Sequence, residues 1–327
     1  MDHLQRIQNF TQLKVLADAR RLSILQLLME RPATLTQLGE ELNEHPAQVR
    51  YHLKKLEAVD LIELVETRIV GGYVEKYYQA KAHAFMLQDM ILPISRKPNR
   101  IVILGSDDLA LGLLAGNVPE TEILTFPVGS LEGLVALREG QAQLAGCHLL
   151  DVESGEYNLP YVRHFFPDRD IKLVTLAHRE QGLLVTKDNP YQIHKLEDIG
   201  QPGVRFANRN KGSGTRLWFD RQLQKLSIPP HRINGYSLQL HTHTQVAEHI
   251  ARGEADAGIG LCAVAATFGL KFIPLFQERF DLVTPQEQYT NPSLIPFFET
   301  LNSGIFRSTI NHLGGYNTTH SGETINP

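Results

Sequence analysis

Three short glycine–hydroxyl turns carry the most legible chemistry in this chain. Gly105-Ser106, Gly129-Ser130 and Gly212-Ser213-Gly214-Thr215 each stand between a short apolar run and a helical pattern. A helix N-terminus offers free backbone N–H groups and partial positive charge, and glycine lets an oxyanion approach the main chain. The serine and threonine hydroxyls add neutral donors. Around the third turn, Arg209, Lys211 and Arg216 crowd cations onto a glycine-rich loop. If the three turns converge they form an anion cage. A nucleotide P-loop is the rival reading, and this loop lacks the G-x-x-x-x-G-K-[ST] lysine and spacing.

Other chemistry is thinner. His148 follows an apolar run beside Cys147 and reads as cleft wall. Tyr157 and Asn158 lie near an expected hinge, within reach of a ligand or as plain turn residues. His241-x-His243 has no carboxylate or cysteine beside it, so no metal site is expected; His243 reads as a helix cap or a cleft residue. Cys147 has no identifiable activating partner. No catalytic set, metal cluster or cofactor loop emerges.

The elements that position the turns alternate. From Ile101, IVILGS, TEILTFP and QLAGCHLLD read as strands, with helices DDLALGLLAG and LEGLVALREG between them. IKLVTLAHREQGLLVT reads as a long strand crossing between lobes. A second unit follows: strand GVRFANRN, helix GSGTRLWFDRQLQKL, then the helix-to-strand segment HTQVAEHIARGEADAGIG. KFIPLFQERFDLVT reads as the returning strand, and one helix is expected over 292–311. The alternation predicts α/β lobes with mostly parallel sheets. Lobe 1 is expected at 101–185 and 263–313, lobe 2 at 186–262, and the polar tail 314–327 as disordered. Ligands in such folds sit at strand carboxyl ends.

The first hundred residues have a different texture. One helix is expected over 11–30, with Leu13, Leu16, Leu22, Leu25 and Leu28 on its apolar face. Thr34 and Gln37 form a capping box for TLTQLGEEL, and Pro46 opens the next helix. That helix, 46–58, buries Val49, Leu53 and Leu56 and shows Gln48, Arg50, Tyr51, His52, Lys54 and Lys55. A hairpin turns across Ile69-Val70-Gly71-Gly72. Three helices and a hairpin predict a winged helix-turn-helix over 1–93, with the polar, basic stretch 94–100 as linker. Gln48, Arg50, Tyr51, Lys54 and Lys55, with Arg68 and Lys76 on the wing, are the expected contacts to double-stranded DNA.

Charge supports that division. Residues 1–100 carry 14 Lys+Arg against 12 Asp+Glu, and the remainder 18 against 24. The sign suits a DNA-contacting head on an acidic sensor body. The two cysteines, Cys147 and Cys262, form no C-x-x-C pair, which fits a reducing compartment. MDHLQRIQNF shows no secretory pattern, and no run approaches a membrane span, so a cytoplasmic protein is expected.

The stretch LADARRLSILQLLMERPATLTQLGEELNEHPAQVRYHLKKLEAVDLIE resembles ArsR-type winged-helix regulators. Leu16-Ala17-Asp18, Arg21-Leu22, Ile24-Leu25 and His52-Leu53 with Leu56 carry the match, and Asp60 stands where that family has glycine. The resemblance implies a homodimer on a two-fold symmetric operator. TLTQLGEEL lacks the cysteines of metal-sensing members, so direct thiolate sensing is not expected.

Farther on, GSDDLALGLLA, VGSLEGLVALREGQAQLAGCHLLD, GEYNLPYV, REQGLLV, NRNKGSGTRLWFD and HTQVAEHIARGEADAGIG are similar to the two-lobed type II periplasmic-binding-protein-like sensor domain. The similarity extends to tungstate- and molybdate-binding proteins of transport systems. It implies a tetrahedral oxyanion held by Ser106, Ser130, Arg209, Ser213 and Thr215, with His148, Tyr157, Gly212, Gly214 and Arg216 nearby. Asp107 and Asp108 depart from the threonine-rich first turn of those relatives, and repel a dianion unless they point away or cap the helix.

The sequence therefore predicts a DNA-binding regulator, not an enzyme. Its effector is a small anion: molybdate, tungstate or a molybdenum-cofactor-related molecule. A different organic anion is the alternative, and catalysis in the cleft is the remote one. No cofactor and no membrane partner are expected.

Overall fold

The computed structural model describes residues 5–7, 9–87, 90–95 and 97–327, and the chain divides into two units, Met1–Leu92 and Pro93–Pro327. Of the expected head, residues 1–4, 8, 88 and 89 lie outside the described residues, as does Arg96 of the expected linker.

The first unit is ordered β1 (Gln5–Ile7), α1 (Phe10–Leu16), α2 (Ala19–Glu30), β2 (Ala33–Thr34), α3 (Leu35–Leu42), α4 (Pro46–Ala58), β3 (Ile62–Val70), β4 (Tyr73–Ala80) and β5 (Phe85–Leu87). The single helix expected over 11–30 is two. Asp18 takes an extended conformation and accepts from the Arg20 and Arg21 amides, capping a new helix and resetting its phase. Ile24 is therefore buried with Leu25 and Leu28, while Leu22 is exposed. The Thr34–Gln37 capping box is present, and Pro46 sits in the first turn of α4. Val49, Leu53 and Leu56 enter the core with Leu38 and Leu61. His52, expected on the exposed face of α4, is buried. β3 and β4 form the wing around Gly71 and Gly72, both at positive φ, and β2 adds a third strand beside β4. Asp60 has φ 63, a left-handed conformation that glycine adopts freely and aspartate tolerates.

The second unit begins β6 (Asn99–Gly105), α5 (Leu109–Asn117), β7 (Thr121–Pro127), α6 (Ser130–Arg138), β8 (Leu144–Cys147), α7 (Leu159–Phe165), β9 (Ile171–Val185). It continues β10 (Phe206–Ala207), α8 (Gly214–Lys225), α9 (His243–Ala251), β11 (Ala257–Leu261), α10 (Cys262–Thr267), β12 (Lys271–Pro285), α11 (Gln286–Tyr289), α12 (Ile295–Asn302), α13 (Gly304–Asn311), β13 (Tyr316–Asn317) and β14 (Thr324–Ile325).

One sheet runs through both lobes in the order β10-β11-β9-β12-β8-β6-β7. It is mixed, not mostly parallel: β6, β7 and β8 are parallel, as are β10 and β11, but β9 and β12 run antiparallel to their sheet neighbours. These two fifteen-residue strands cross between the lobes together, with register shifts at Pro274/Phe276 and Phe280/Asp281. The return to lobe 1 therefore falls inside β12 and not at 263; Val264 and Ala265 of α10 pack in lobe 2 with Val246 and Leu184. Each lobe is apolar on both sheet faces. In lobe 1, α5 packs with α12 and α13 on one face, and α6 with α7 on the other.

The helix expected over 292–311 breaks at Ser303, whose extended backbone ends α12 and whose hydroxyl caps α13. The tail, expected to be disordered, is ordered. β13 and β14 pair antiparallel with β9, at Arg179–His178 and Val174–Leu173. Thr175 N donates to Glu323 O at 2.9 Å and Glu180 N to Gly315 O at 2.7 Å. Polar side chains do not preclude strand pairing by the backbone, and the tail covers an edge of β9 that would otherwise be open.

Candidate functional site

β6 is the central strand of lobe 1, flanked by β7 and β8, with α5 and α6 on opposite faces. Strand order reverses there, so the carboxyl ends of the three strands open a crevice. Gly105-Ser106 leaves β6, Gly129-Ser130 leaves β7, and His148 follows β8. Ser106 Oγ lies 2.8 Å from Ser130 Oγ, and Ser130 Oγ accepts from the His148 amide at 3.2 Å. Gly129 caps α6 at φ 107 without a side-chain bond, a conformation that favours glycine.

Lobe 2 brings the third turn to meet these two. Asn210 Nδ2 donates to the Val128 carbonyl at 3.2 Å. A side chain at position 214 would collide with the carbonyl and ring of His148, which is why glycine stands there. Thr215 Oγ1 donates to Gln181 Oε1 at 3.0 Å. Arg209 is 2% exposed; its Nε donates to Leu240 O at 3.2 Å and Nη2 to His241 O at 2.9 Å, while Nη1 has no partner. Burial lowers its pKa to about 10.

The crossing strands supply the floor, which sequence reasoning missed. Arg179 of β9 is register-paired with Glu278 of β12, and Arg179 Nε donates to Glu278 Oε1 at 2.6 Å. Glu278 also accepts from Gln181 Nε2, and its Oε2 lies 2.7 Å from His148 Nδ1. Burial alone would raise this carboxyl; the Arg179 charge and the His148 and Gln181 bonds outweigh it and bring it to about 2. Arg179 also donates to Asp108 and to the Asp107 carbonyl, leaving Nη2 without a partner. Burial opposes its charge, but Glu278 and Asp108 raise its pKa.

Asp108 does not face a ligand. It caps α5 through the Ala110 and Leu111 amides, and its second oxygen takes Arg179 and the Tyr316 hydroxyl. Asp107 stays partly exposed, and its pKa is raised by burial and by Asp108 against the pull of Arg209 and Arg179.

Two buried imidazoles complete the cluster. His148 and His243 are each 1% exposed; His148 Nε2 and both His243 ring nitrogens lack partners. Burial drives both pKa values down and Arg179 and Arg209 reinforce this, outweighing the pull of Glu278 on His148, so both rings are neutral near neutrality. The cap of α9 is Thr242 with Gln245, not His243.

The structure thus gathers Ser106, Ser130, His148, Arg209, Gly214 and Thr215. It does not gather the others in the same way. Ser213 caps α8 and donates to Asn210 O, and Gly212, at φ 83, packs against Glu132. Arg216 turns away, to Asp220 at 2.9 Å, the Arg209 carbonyl and the Tyr236 ring. Tyr157 donates to Gln277 O and lines a cavity of about 450 Å³ with His178, Glu278 and Arg279, which shares Glu278 with the cluster but none of its hydroxyl turns. The signal that could have found Arg179, Gln181 and Glu278 was available: HREQ and QER interrupt otherwise apolar strands at the lobe crossing.

In the first unit, Gln48, Arg50, Tyr51, Lys54 and Lys55 are exposed on α4. Lys55 Nζ lies over the Tyr51 ring at 5.6 Å. Lys76 is exposed on the wing. Arg68 is not a free cation: both its Nε and Nη2 donate to Glu66 at 2.7 Å, and its guanidinium stacks on Tyr77. Among the described residues no helix is long and apolar enough to cross a membrane, and no cluster of three metal-ligating side chains occurs.

A two-lobed α/β domain with its polar cluster between the lobes is the architecture of a binding protein. The chain belongs to the PBP superfamily: the family described as "PBP superfamily domain" matches residues 111–302, and a second, described as "Helix-turn-helix domain", matches residues 16–65. Its relatives include uncharacterized protein YvgK of Bacillus subtilis (strain 168), 33% identical over 234 residues, 70% of this chain and 74% of YvgK. It is also 34% identical over 110 residues to the uncharacterized protein in the ferredoxin 2Fe-2S gene 5' region of Clostridium pasteurianum, 33% of this chain and 97% of that one. Among solved structures, the tungstate ABC transporter from Geobacter sulfurreducens is similar at 11% identity and a TM-score of 0.49, covering 66% of this chain and 100% of that one.

Proposed function

We propose that this chain is a cytoplasmic transcriptional regulator that binds operator DNA, as a homodimer of ArsR-type heads, under control of a small anion held between the lobes of its second unit. The observation that carries this reading is the pair of buried guanidinium donors without partners, Arg179 Nη2 and Arg209 Nη1, beside the hydroxyl turns. Buried donors in folded proteins are nearly always satisfied by protein, water or ligand, and two guanidinium donors left open beside hydroxyl turns suit an anion as that partner.

Ser106, Ser130 and His148 belong to lobe 1, Arg209, Thr215 and His243 to lobe 2, and Arg179 and Glu278 to the strands that join them. An anion touching all three groups favours the closed arrangement through its greater affinity for it. By linkage it alters DNA affinity by the same factor that DNA alters its own binding. We read the cleft as non-catalytic. The Ser106 and Ser130 hydroxyls bond to one another, and burial pushes the Cys147 thiol up to about 12.

Molybdate, tungstate or a molybdenum-cofactor-related anion is the effector suggested by the sequence motifs. A small organic anion is the second reading, favoured by Glu278 and Asp108, which already balance much of the arginine charge. The test is the affinity of the full-length protein for a duplex selected from a random library, measured by fluorescence anisotropy with and without each anion that binds in calorimetry. At least a tenfold change is expected; an affinity indifferent to every bound anion would defeat the regulatory reading.

A further inference from the structure

The cluster contains an acceptor as well as donors, and hydrogen-bond arithmetic fixes which atom it is. Glu278 takes bonds from Arg179 Nε, from Gln181 Nε2 and at His148 Nδ1. Arg179 Nε and Gln181 Nε2 both donate to Oε1, and the buried Arg179 ion pair keeps the carboxyl ionised, so Oε2 carries no proton and also accepts. His148 Nδ1 must therefore carry the proton. Complete burial, with the fields of Arg179 and Arg209, outweighs the pull of Glu278 and disfavours a second proton on the ring. In a neutral imidazole with Nδ1–H, the other nitrogen is a bare lone pair.

That lone pair is His148 Nε2, which is buried and has no partner in the protein. His243, neutral and equally buried, likewise offers one acceptor and one donor nitrogen; the Ile259 backbone reaches its ring, but neither nitrogen has a partner of good hydrogen-bond geometry. Both rings lie in the fields of Arg179 and Arg209, and His243 lies within electrostatic reach of His148, so all four side chains share one neighbourhood. The partly exposed Asp107 carboxylate lies in the same arginine fields.

We infer that this site takes an anion that itself donates at least one hydrogen bond, to His148 Nε2, and that it discriminates against fully deprotonated tetrahedral dianions. Ligands of this class include a protonated oxyanion and a carboxylate carrying a hydroxyl or amino group. A dianion without hydrogen has only lone pairs to set against Nε2, while the two guanidinium groups and the hydroxyls satisfy its oxygens equally in either case. The inference rests on the anion-binding reading above and turns it from molybdate and tungstate, unprotonated dianions at neutral pH, toward its second, donor-bearing class: His148 becomes the residue that sets specificity.

The experiment is calorimetry on the full-length protein at neutral pH with matched probes: inorganic phosphate against sulfate, molybdate and tungstate, and lactate against propionate. The expected result is at least tenfold tighter binding of the donor-bearing member in whichever set binds. Sulfate, molybdate or tungstate binding as tightly as phosphate overturns this inference and leaves the anion-binding reading intact. No heat with any probe overturns both. His148→Gln keeps an amide donor for Glu278 and a carbonyl acceptor for the ligand, so it should preserve the preference. His148→Met, which offers neither, should reduce the preference to threefold or less; a preference kept at full size in a folded His148→Met protein also overturns the assignment.

Discussion

The hydroxyl of Tyr316 donates to Asp108 Oδ2 at 3.0 Å, and the same carboxylate oxygen holds the Arg179 guanidinium. A residue from the C-terminal strap is thereby bonded to the cap of α5 and, through it, to the floor of the candidate site. The strap also pairs Tyr316 with Arg179 backbone to backbone on β9. It grips the crossing strand and positions the Arg179 guanidinium at once.

Tyr316→Phe should therefore keep the fold and weaken anion affinity. A hydrogen bond to a charged group is worth about 1.5–3 kcal/mol, of which only the part transmitted to Arg179 reaches the ligand. A loss of roughly three- to tenfold is expected by calorimetry, at about 1.4 kcal/mol per factor of ten. Unchanged affinity would mean that Glu278 alone orients Arg179.

Arg209→Ala should act on both function and stability. The side chain satisfies the Leu240 and His241 carbonyls and leaves Nη1 for a ligand. Its removal should lower the melting temperature by several degrees and abolish detectable anion binding. Arg209→Lys keeps the charge but not the fork, and one ammonium cannot span two carbonyls and a ligand in that geometry. It should recover much of the stability and little of the affinity.

Gly214→Ala tests the meeting of the lobes. The added methyl would enter the His148 carbonyl and ring, so the third turn must withdraw. The variant should bind anion at least tenfold more weakly, and small-angle scattering should show no compaction on adding ligand. Wild-type affinity in this variant would show that closure tolerates a wider gap.

Much of this was readable from the sequence, where the signal was local. The Thr34–Gln37 box, Pro46 at the start of α4 and the burial of Val49, Leu53 and Leu56 depend on residues within one or two helical turns. The meeting of Ser106 and Ser130 was legible because each follows a glycine at the carboxyl end of a strand pattern, and the ends of neighbouring parallel strands lie side by side. Arg179 and Glu278 are far apart in the chain, and their bond depends on the register of β9 against β12, which periodicity does not encode. The break at Asp18 was missed because the apolar pattern continues across it, although the cap restarts the helix. The strap was misread because composition reports on side chains, whereas its pairing with β9 is made by backbone amides and carbonyls.

Acid should destabilise the second unit in two stages. His148 and His243 are held neutral, with pKa values below the ordinary histidine value. Above that value the folded and unfolded forms bind equal numbers of protons at these rings. Below it the unfolded chain binds more, so stability falls as pH drops below roughly 6.5, at up to about 1.4 kcal/mol per pH unit for each ring until its folded value is passed. Glu278, brought to about 2, adds a second loss that begins near the ordinary glutamate range and continues to about pH 2. Melting temperatures at pH 7.5, 6.5 and 5.5 should fall progressively, and His243→Gln should flatten the upper part of the slope. A midpoint constant between pH 7.5 and 5.5 would mean that these rings protonate in place.

The division of labour between the units gives the last prediction. Arg50 and Lys54 are exposed on α4, the helix that follows the Asn43–His45 turn, and neither has an ion-pair partner among the described residues. Arg68, by contrast, is already held by two bonds to Glu66 and by the Tyr77 ring. A cation that neutralises a phosphate releases about one counterion, so its removal reduces the slope of log affinity against log salt by roughly one. Arg50→Ala and Lys54→Ala should each show that reduction and weaken duplex binding about tenfold. Arg68→Ala should have a smaller effect, because binding DNA through Arg68 requires it first to leave Glu66. All three should leave anion affinity unchanged in calorimetry. If Arg68→Ala proves the most damaging, the wing rearranges on DNA and the Glu66 pair belongs only to the free protein.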